Sequence, residues 1–262
     1  MIYKHQQQAI DYISGKLKAD GQVDALLISG SISHGFNDEH SDVDINIIVS
    51  DEIYRQKKRE YAVTYWESAE NFYPGGYFDG KYIALSYLGA VAERGNEPTR
   101  FALRDVDIAF DNTGQVAGYI KKISEYKADI QANAVRFLSQ LIGWNWYCGE
   151  ALKRNDKYLL DTSVSKLILF AGRLILLENK IFFPYHKWFM RVLEDAPEKP
   201  AGFMSLINKL LENKSAENAA ELFETVKNYK DWAGGADYDW GSNFVYDTEM
   251  VWLRHDDFIE NI

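Results

Sequence analysis

Asp42 and Asp44 stand one residue apart at the head of an apolar run, SDVDINIIVS, at 41–50. In a β-strand alternate side chains share a face, so the two carboxylates point the same way, about 7 Å apart along the backbone. Val43, Ile45, Ile47 and Val49 then point the other way, into a core. Like charges so placed repel. A divalent cation between them offsets that cost most simply, and oxygen ligands imply Mg2+ or a relative of it. Upstream, DALLISG at 24–30 runs directly into Ser31. Gly30 lets backbone N–H groups approach phosphate oxygens closely, and the Ser31 hydroxyl can donate a further hydrogen bond. A metal-binding pair and an anion cradle at one edge suit phosphoryl or nucleotidyl transfer, in which the protein positions reactants and neutralises developing charge.

Strands must hold those residues, and the surrounding sequence supplies them. Ile10, Ile13 and Leu17 recur at helical spacing over 4–18, and Gly21 ends that helix. The runs at 24–30 and 41–50 read as two strands joined by a short turn or helix. The charged segment 51–72 reads as helix, PGGYFDGKYIALSYL at 74–88 as a strand after a Pro-Gly-Gly break, and VDIAFDNTG at 106–114 as one more strand. This alternation predicts an α/β-type domain with a small mixed sheet over residues 1–113. Beyond Gly114 the segments 116–154, 158–179, 185–195, 202–212 and 216–231 carry helical patterns, which predicts an all-α domain over 114–262 and an α+β chain overall. DAPEKPAG at 195–202 is the clearest loop.

A strand, Gly30-Ser31, a turn with Gly35, then Ser41-Asp42-x-Asp44 and an aliphatic tail resemble the polymerase-beta-like nucleotidyltransferases. The order of a small domain followed by a helical one is similar to the aminoglycoside and lincosamide nucleotidyltransferases. The resemblance implies that Gly30 and Ser31 hold the β- and γ-phosphates of ATP or another nucleoside triphosphate. It implies that Asp42 and Asp44 bind two Mg2+ and that an acceptor hydroxyl attacks the α-phosphorus, with pyrophosphate leaving. It further implies a third carboxylate from a neighbouring strand. Asp79 is the candidate and Asp107 the alternative, and Asp79-Gly80 reads equally well as a hairpin turn. The site is expected between the two domains. Lys187, at the start of a helix in FFPYHKWF, is placed to meet a triphosphate or else is a solvated surface lysine. The general base stays open, with Glu150 one of several acidic residues of the helical half.

Other chemistries fit less well. DVDIN at 42–46 matches the start of a calcium loop, but its sixth position is Ile47 and its twelfth Ile53, where Gly and Glu are required. A sugar-nucleotide glycosyltransferase also uses D-x-D, yet leaves Gly30-Ser31 unexplained. His34 and His40 lack metal-ligand spacing and read as exposed loop histidines. Cys148, the only cysteine, excludes an internal disulfide and reads as a small buried hydrophobe. A formal net charge of -10 disfavours nucleic acid and suits a small hydroxylated acceptor, cationic and aminoglycoside-like. LILFAGRLILL at 167–177 falls far short of the roughly 20 apolar residues of a membrane span and reads as a buried helix. With no secretory h-region at the start, the expectation is a cytoplasmic protein. Trp144, Trp146, Tyr147, Trp188, Trp232, Tyr238, Trp240 and Trp252 read mostly as packing, while GGADYDWGS at 234–242 offers Asp237 and Asp239 to a cationic ligand. RHDDFIE at 254–260 reads as a solvated helix face. The rival to an enzyme is a nucleotide-binding sensor or interaction module that keeps the fold without turnover, although such a copy has no physical reason to retain a costly carboxylate pair. Transfer to protein hydroxyls is a third alternative.

Overall fold

In the computed structural model, which describes residues 2–253 and 257–262, the stripe Ala9, Ile10, Ile13 and Leu17 is buried along helix α1 (Lys4–Lys18). The chain continues as β1 (Val23–Ser29), a one-turn helix α2 (Gly30–Ser33), β2 (Val43–Val49), α3 (Asp51–Arg59), β3 (Thr64–Ser68) and β4 (Tyr77–Ala84). Then follow α4 (Leu85–Arg94), α5 (Glu97–Leu103), β5 (Asp107–Asp111) and α6 (Val116–Ser124). The strands form one five-stranded sheet in the order β3-β4-β2-β1-β5, with β2 parallel to β4 and every other pairing antiparallel. The architecture is thus α+β with a mixed sheet.

Strand parity sorts the side chains onto two faces. On one face Leu26, Ile28, Val43, Ile45, Ile47, Phe78 and Phe110 join the α1 stripe in a single core. On the other, Ala25, Leu27, Ile48 and Ile83 pack against Leu88, Val91 and Ala92 of α4, Leu103 of α5, and Val116 and Ile123 of α6. Burying one such aliphatic side chain stabilises the fold by about 1.5–3 kcal/mol, so both layers are needed to hold the sheet. The second layer ends part-way along the strands. Nearer the β1 C-terminus the same face carries Ser29, Asp44 and Asp79 in place of apolar residues.

Several segments depart from the sequence expectation, and the strand read over 74–88 ends at Ala84, where α4 takes over. The segment 51–72 is not one helix. Asp51 and Glu52 in the first turn of α3, Lys57, Lys58 and Arg59 in its last, and the Ser50 hydroxyl accepting from Ile53 N (3.3 Å) complement the helix dipole at both ends. It stops at Arg59, and Thr64–Ser68 alternates exposed and half-buried residues as the edge strand β3. The segment 116–154 is two helices, α6 and α7 (Ile130–Arg154), with Asp129 accepting from Ala132 N (3.0 Å) to start the second.

The chain divides into two compact units, residues 1–125 and 126–262. The division falls beyond the 113/114 boundary read from composition, because α6 buries Val116 and Ile123 in the first unit. The second unit comprises α7, α8 (Lys157–Glu178), α9 (His186–Asp195), α10 (Phe203–Glu212), α11 (Ala216–Lys227), α12 (Trp240–Thr248) and a single turn at Val251–Leu253. Leu167–Leu177 is buried in α8. Within that run Arg173 is 1% exposed, its guanidinium 4.6 Å and 4.9 Å from the Phe137 and Phe183 ring centres, and it donates to the Ile262 carbonyl. Arg136 grips Asp247 through two bonds of 3.0 and 2.7 Å, tying α12 to α7. Ile259–Asn261 forms a turn with Glu260 paired to Lys166, which does not match the helical face expected at 254–260; Arg254–Asp256 lie outside the described residues. No described helix is long and apolar enough to cross a membrane.

Candidate metal and phosphate site

β1 ends at Ser29 and the chain turns at Gly30, whose φ of +66° few other residues tolerate. A second constraint acts there. A Cβ on Gly30 would lie 1.7 Å from Asp44 Oδ2, so only glycine lets the turn lie against that carboxylate. Ser31 follows in α2, 7% exposed, with its Oγ buried and lacking a hydrogen-bond partner among the described residues. Such an orphaned hydroxyl is costly unless a ligand meets it.

The loop that delivers Asp42 is pinned from below. Gln6, fully buried on α1, donates to the carbonyls of Asp38 (2.8 Å) and Ser41 (3.2 Å) and accepts from Asn37 Nδ2 (2.9 Å). Ser41 Oγ accepts from Asp38 N (2.9 Å), and the Tyr73 hydroxyl donates to the Ser41 carbonyl (2.9 Å). Asp44 and Asp79 then come level through the parallel pairing of β2 and β4, in which they are direct Cα partners. Asp79-Gly80 is therefore mid-strand and not a hairpin turn. A Cβ on Gly80 would lie 2.8 Å from the Ile45 carbonyl oxygen, which accounts for the glycine on packing grounds alone.

Asp42, Asp44 and Asp79 each present an oxygen such that all three lie within 4.8 Å of one another. At that separation each charge pair repels by about 3 kcal/mol at an effective dielectric of about 20, more than an ordinary hydrogen bond returns. One relief is visible. Tyr77, two residues before Asp79 on the same strand face, donates its hydroxyl to Asp42; that bond, then the charges of Asp42, Asp79 and Asp44, push the phenol above its ordinary value. Oxygens around one octahedral Mg2+ at about 2.1 Å lie about 3 to 4.2 Å apart, only slightly closer than these. The donor set is all hard oxygen, so it fits Mg2+ in kind and in spacing. Beside it, the bare Gly30 turn and the orphaned Ser31 hydroxyl fit an anion.

Asp107 is placed elsewhere. It is the partner of Ile28 on β5 and so belongs to the opposite face, where it lines a cavity of about 430 Å³ with Gln7, Asp11 and Ser14. Lys187 stands exposed in the first turn of α9 in the second unit, its ammonium 5.2 Å from the Trp188 ring centre. Glu150 on α7 is held by Lys153 (2.9 Å) and Arg154 (3.4 Å), and the Lys153 bond keeps its carboxyl below the usual range, which makes it a weak base. Asp239 caps α12, accepting from Gly241 N (3.0 Å) and the Ser242 hydroxyl; Asp237 is exposed. His40 is exposed, but His34 is not a free loop histidine: its ring lies 4.5 Å from that of Phe101, and burial lowers its pKa. Cys148 is 2% exposed, and burial pushes its thiol up to about 12. Sequence reasoning missed Gln6, Tyr73 and Tyr77. Gln6 alone left a signal, as a polar residue in line with the apolar stripe of α1.

No protein-family model matches the chain, and no curated protein does. Among solved structures, the chain is similar to a nucleotidyltransferase-like protein from Exiguobacterium sibiricum, with 12% sequence identity and a TM-score of 0.47 over 95% of this chain and 80% of the other.

Proposed function

We propose that this chain is a Mg2+-dependent nucleotidyltransferase that moves a nucleoside monophosphate, AMP from ATP, onto a hydroxyl of a small molecule and releases pyrophosphate. The observation that carries this proposal is the convergence of three carboxylates from β2, its leading loop and β4 beside a turn that only glycine can make. The motif resemblance to polymerase-beta-like nucleotidyltransferases adds to it. Asp42, Asp44 and Asp79 would hold the ions. When bound, Mg2+ supplies Lewis-acid neutralisation of charge developing on the phosphate oxygens. Gly30 and Ser31 orient the β- and γ-phosphates, which fixes the direction in which pyrophosphate departs. The acceptor oxygen bonds to the α-phosphorus as the bond to pyrophosphate breaks, and the acceptor proton passes to solvent water. Lys187 keeps the part the resemblance gives it, a cation for the triphosphate, and an exposed ammonium is what supports that. A net charge of -10 favours a cationic acceptor such as an aminoglycoside-like compound over nucleic acid, and a lone cysteine suits a reducing, cytoplasmic setting.

Incubation with labelled ATP, Mg2+ and a panel of hydroxylated antibiotics and metabolites tests the proposal. Acceptor-dependent pyrophosphate release that vanishes on chelation supports it. Metal-dependent ATP binding without turnover on any acceptor, including protein hydroxyls, would instead establish a nucleotide sensor.

A further inference from the structure

Across the sheet the order β3-β4-β2-β1 places Trp66, Asp79, Asp44 and Ser29 in one row, because each is the direct partner of the next. All four share a face. Trp66 is 68% exposed although it is a large apolar side chain, and Tyr77, its diagonal neighbour on β4, is 36% exposed. Their rings stack with centres 6.5 Å apart at an interplanar angle of 24°. Tyr77 in turn reaches Asp42 with its hydroxyl. The carboxylates are therefore flanked on one side by the Gly30-Ser31 turn and on the other by an aromatic surface.

In-line displacement at phosphorus fixes what each side is for. The attacking oxygen must lie opposite the departing one. With the phosphate tail seated at the β1 end, pyrophosphate leaves toward β1 and the acceptor approaches from the β3 side. Trp66 is three strands from Ser29, about 14 Å at ordinary strand spacing, which leaves room for the reacting phosphorus between the two. We infer that Trp66 and Tyr77 form the acceptor platform, and that the acceptor is a ring-bearing alcohol, a sugar or cyclitol, whose ring face stacks on the exposed indole. An acyclic alcohol or a serine side chain offers no such face. This inference rests on the transferase proposal for the direction of approach, and on the sheet geometry alone for the platform.

The probes are kanamycin and methyl glucoside as cyclic alcohols and glycerol as an acyclic one. Each is titrated into the full chain with Mg2+ and a non-hydrolysable ATP analogue, and the Trp66 indole NMR signal is identified by its loss in Trp66→Phe. The platform predicts that at least one cyclic probe shifts that signal and that glycerol does not. In turnover with the acceptor that is used, Trp66→Ala should raise the acceptor KM about tenfold, leave the ATP KM within about twofold, and be largely rescued by Trp66→Phe. An indole that answers to no cyclic probe, a shift shared by glycerol, or a rise in the ATP KM in place of the acceptor KM would overturn the inference. Asp44→Asn separates the two proposals: it should abolish transfer and leave the indole shift in place. A shift in a wild-type protein that transfers nothing counts against the transferase and supports the platform.

Discussion

Asp44 and Ile48 stand on the same strand and the same face, yet one belongs to a charged cluster and the other to a dry core. The difference is cover. Over Ile48 lie Leu88, Val91 and Val116 from α4 and α6; among the described residues of the first unit that apolar cluster does not extend to Asp44, whose neighbours on the face are Asp79 and Tyr77. The strand itself is uniform, so chemistry is placed by where the helical layer stops. A substitution at the open end should therefore remove function at little cost to folding, and one at the covered end should do the reverse.

The sharpest break comes from Asp44→Asn or Asp42→Asn. Transfer should fall by several orders of magnitude in steady-state assays while the thermal midpoint stays within a few degrees; comparable activity in either variant would end the metal assignment. At the covered end, Ile48→Ala should lower unfolding free energy by about 2–5 kcal/mol in urea titrations, with the folded fraction keeping its turnover. Ser31→Ala at the open end should weaken ATP binding about tenfold, the worth of one hydrogen bond to a charged group, and should not destabilise, since the hydroxyl it deletes has no partner among the described residues. Between the ends, His34 packs on Phe101 of α5, and its pKa is lowered first by burial and then by Arg104, with Asp105 opposing. The unfolded chain thus binds a proton at this position near pH 6.5, before the folded chain does, so stability should decline as pH falls below about 6.5 toward the folded value. His34→Phe keeps the ring contact and should flatten that slope in denaturation measured across the range. Smallest of all, Asp107→Asn on the opposite face should change turnover by no more than about twofold.

Much of this site was legible because its determinants are local. The Gly30-Ser31 turn, Asp44's place on the face opposite Val43 and Ile45, and the β-branched run behind it depend only on strand parity and glycine's freedom; Asp42, one residue ahead of β2, is placed by its loop. Asp79 and Asp107 could not be separated that way. Each opens a strand-like segment, and what distinguishes them is which partner each meets: Asp79 pairs with Asp44, and Asp107 pairs with Ile28. That is a fact of sheet register, which no short stretch contains. β3 was hidden for a related reason. Thr64–Ser68 has no apolar run, only alternation on an edge strand next to a charged helix, and its pairing with β4 creates it. Gln6 and Tyr73, which fix the loop ahead of Asp42, act across more than thirty residues of sequence; only Gln6 leaves a trace, as a polar residue in the apolar stripe of α1.

The parallel pairing of β2 with β4 has one more consequence. Period-two alternation means that a slide of β4 by a single position would send Asp79 to the α1 side and bring Phe78 or Gly80 opposite Asp44. The cluster exists in one alignment of the two strands and in no neighbouring one. Magnesium affinity, measured by calorimetry, would thus serve as a gauge of strand alignment, and any variant that loosens β4 should reveal itself there before the helices above it begin to melt.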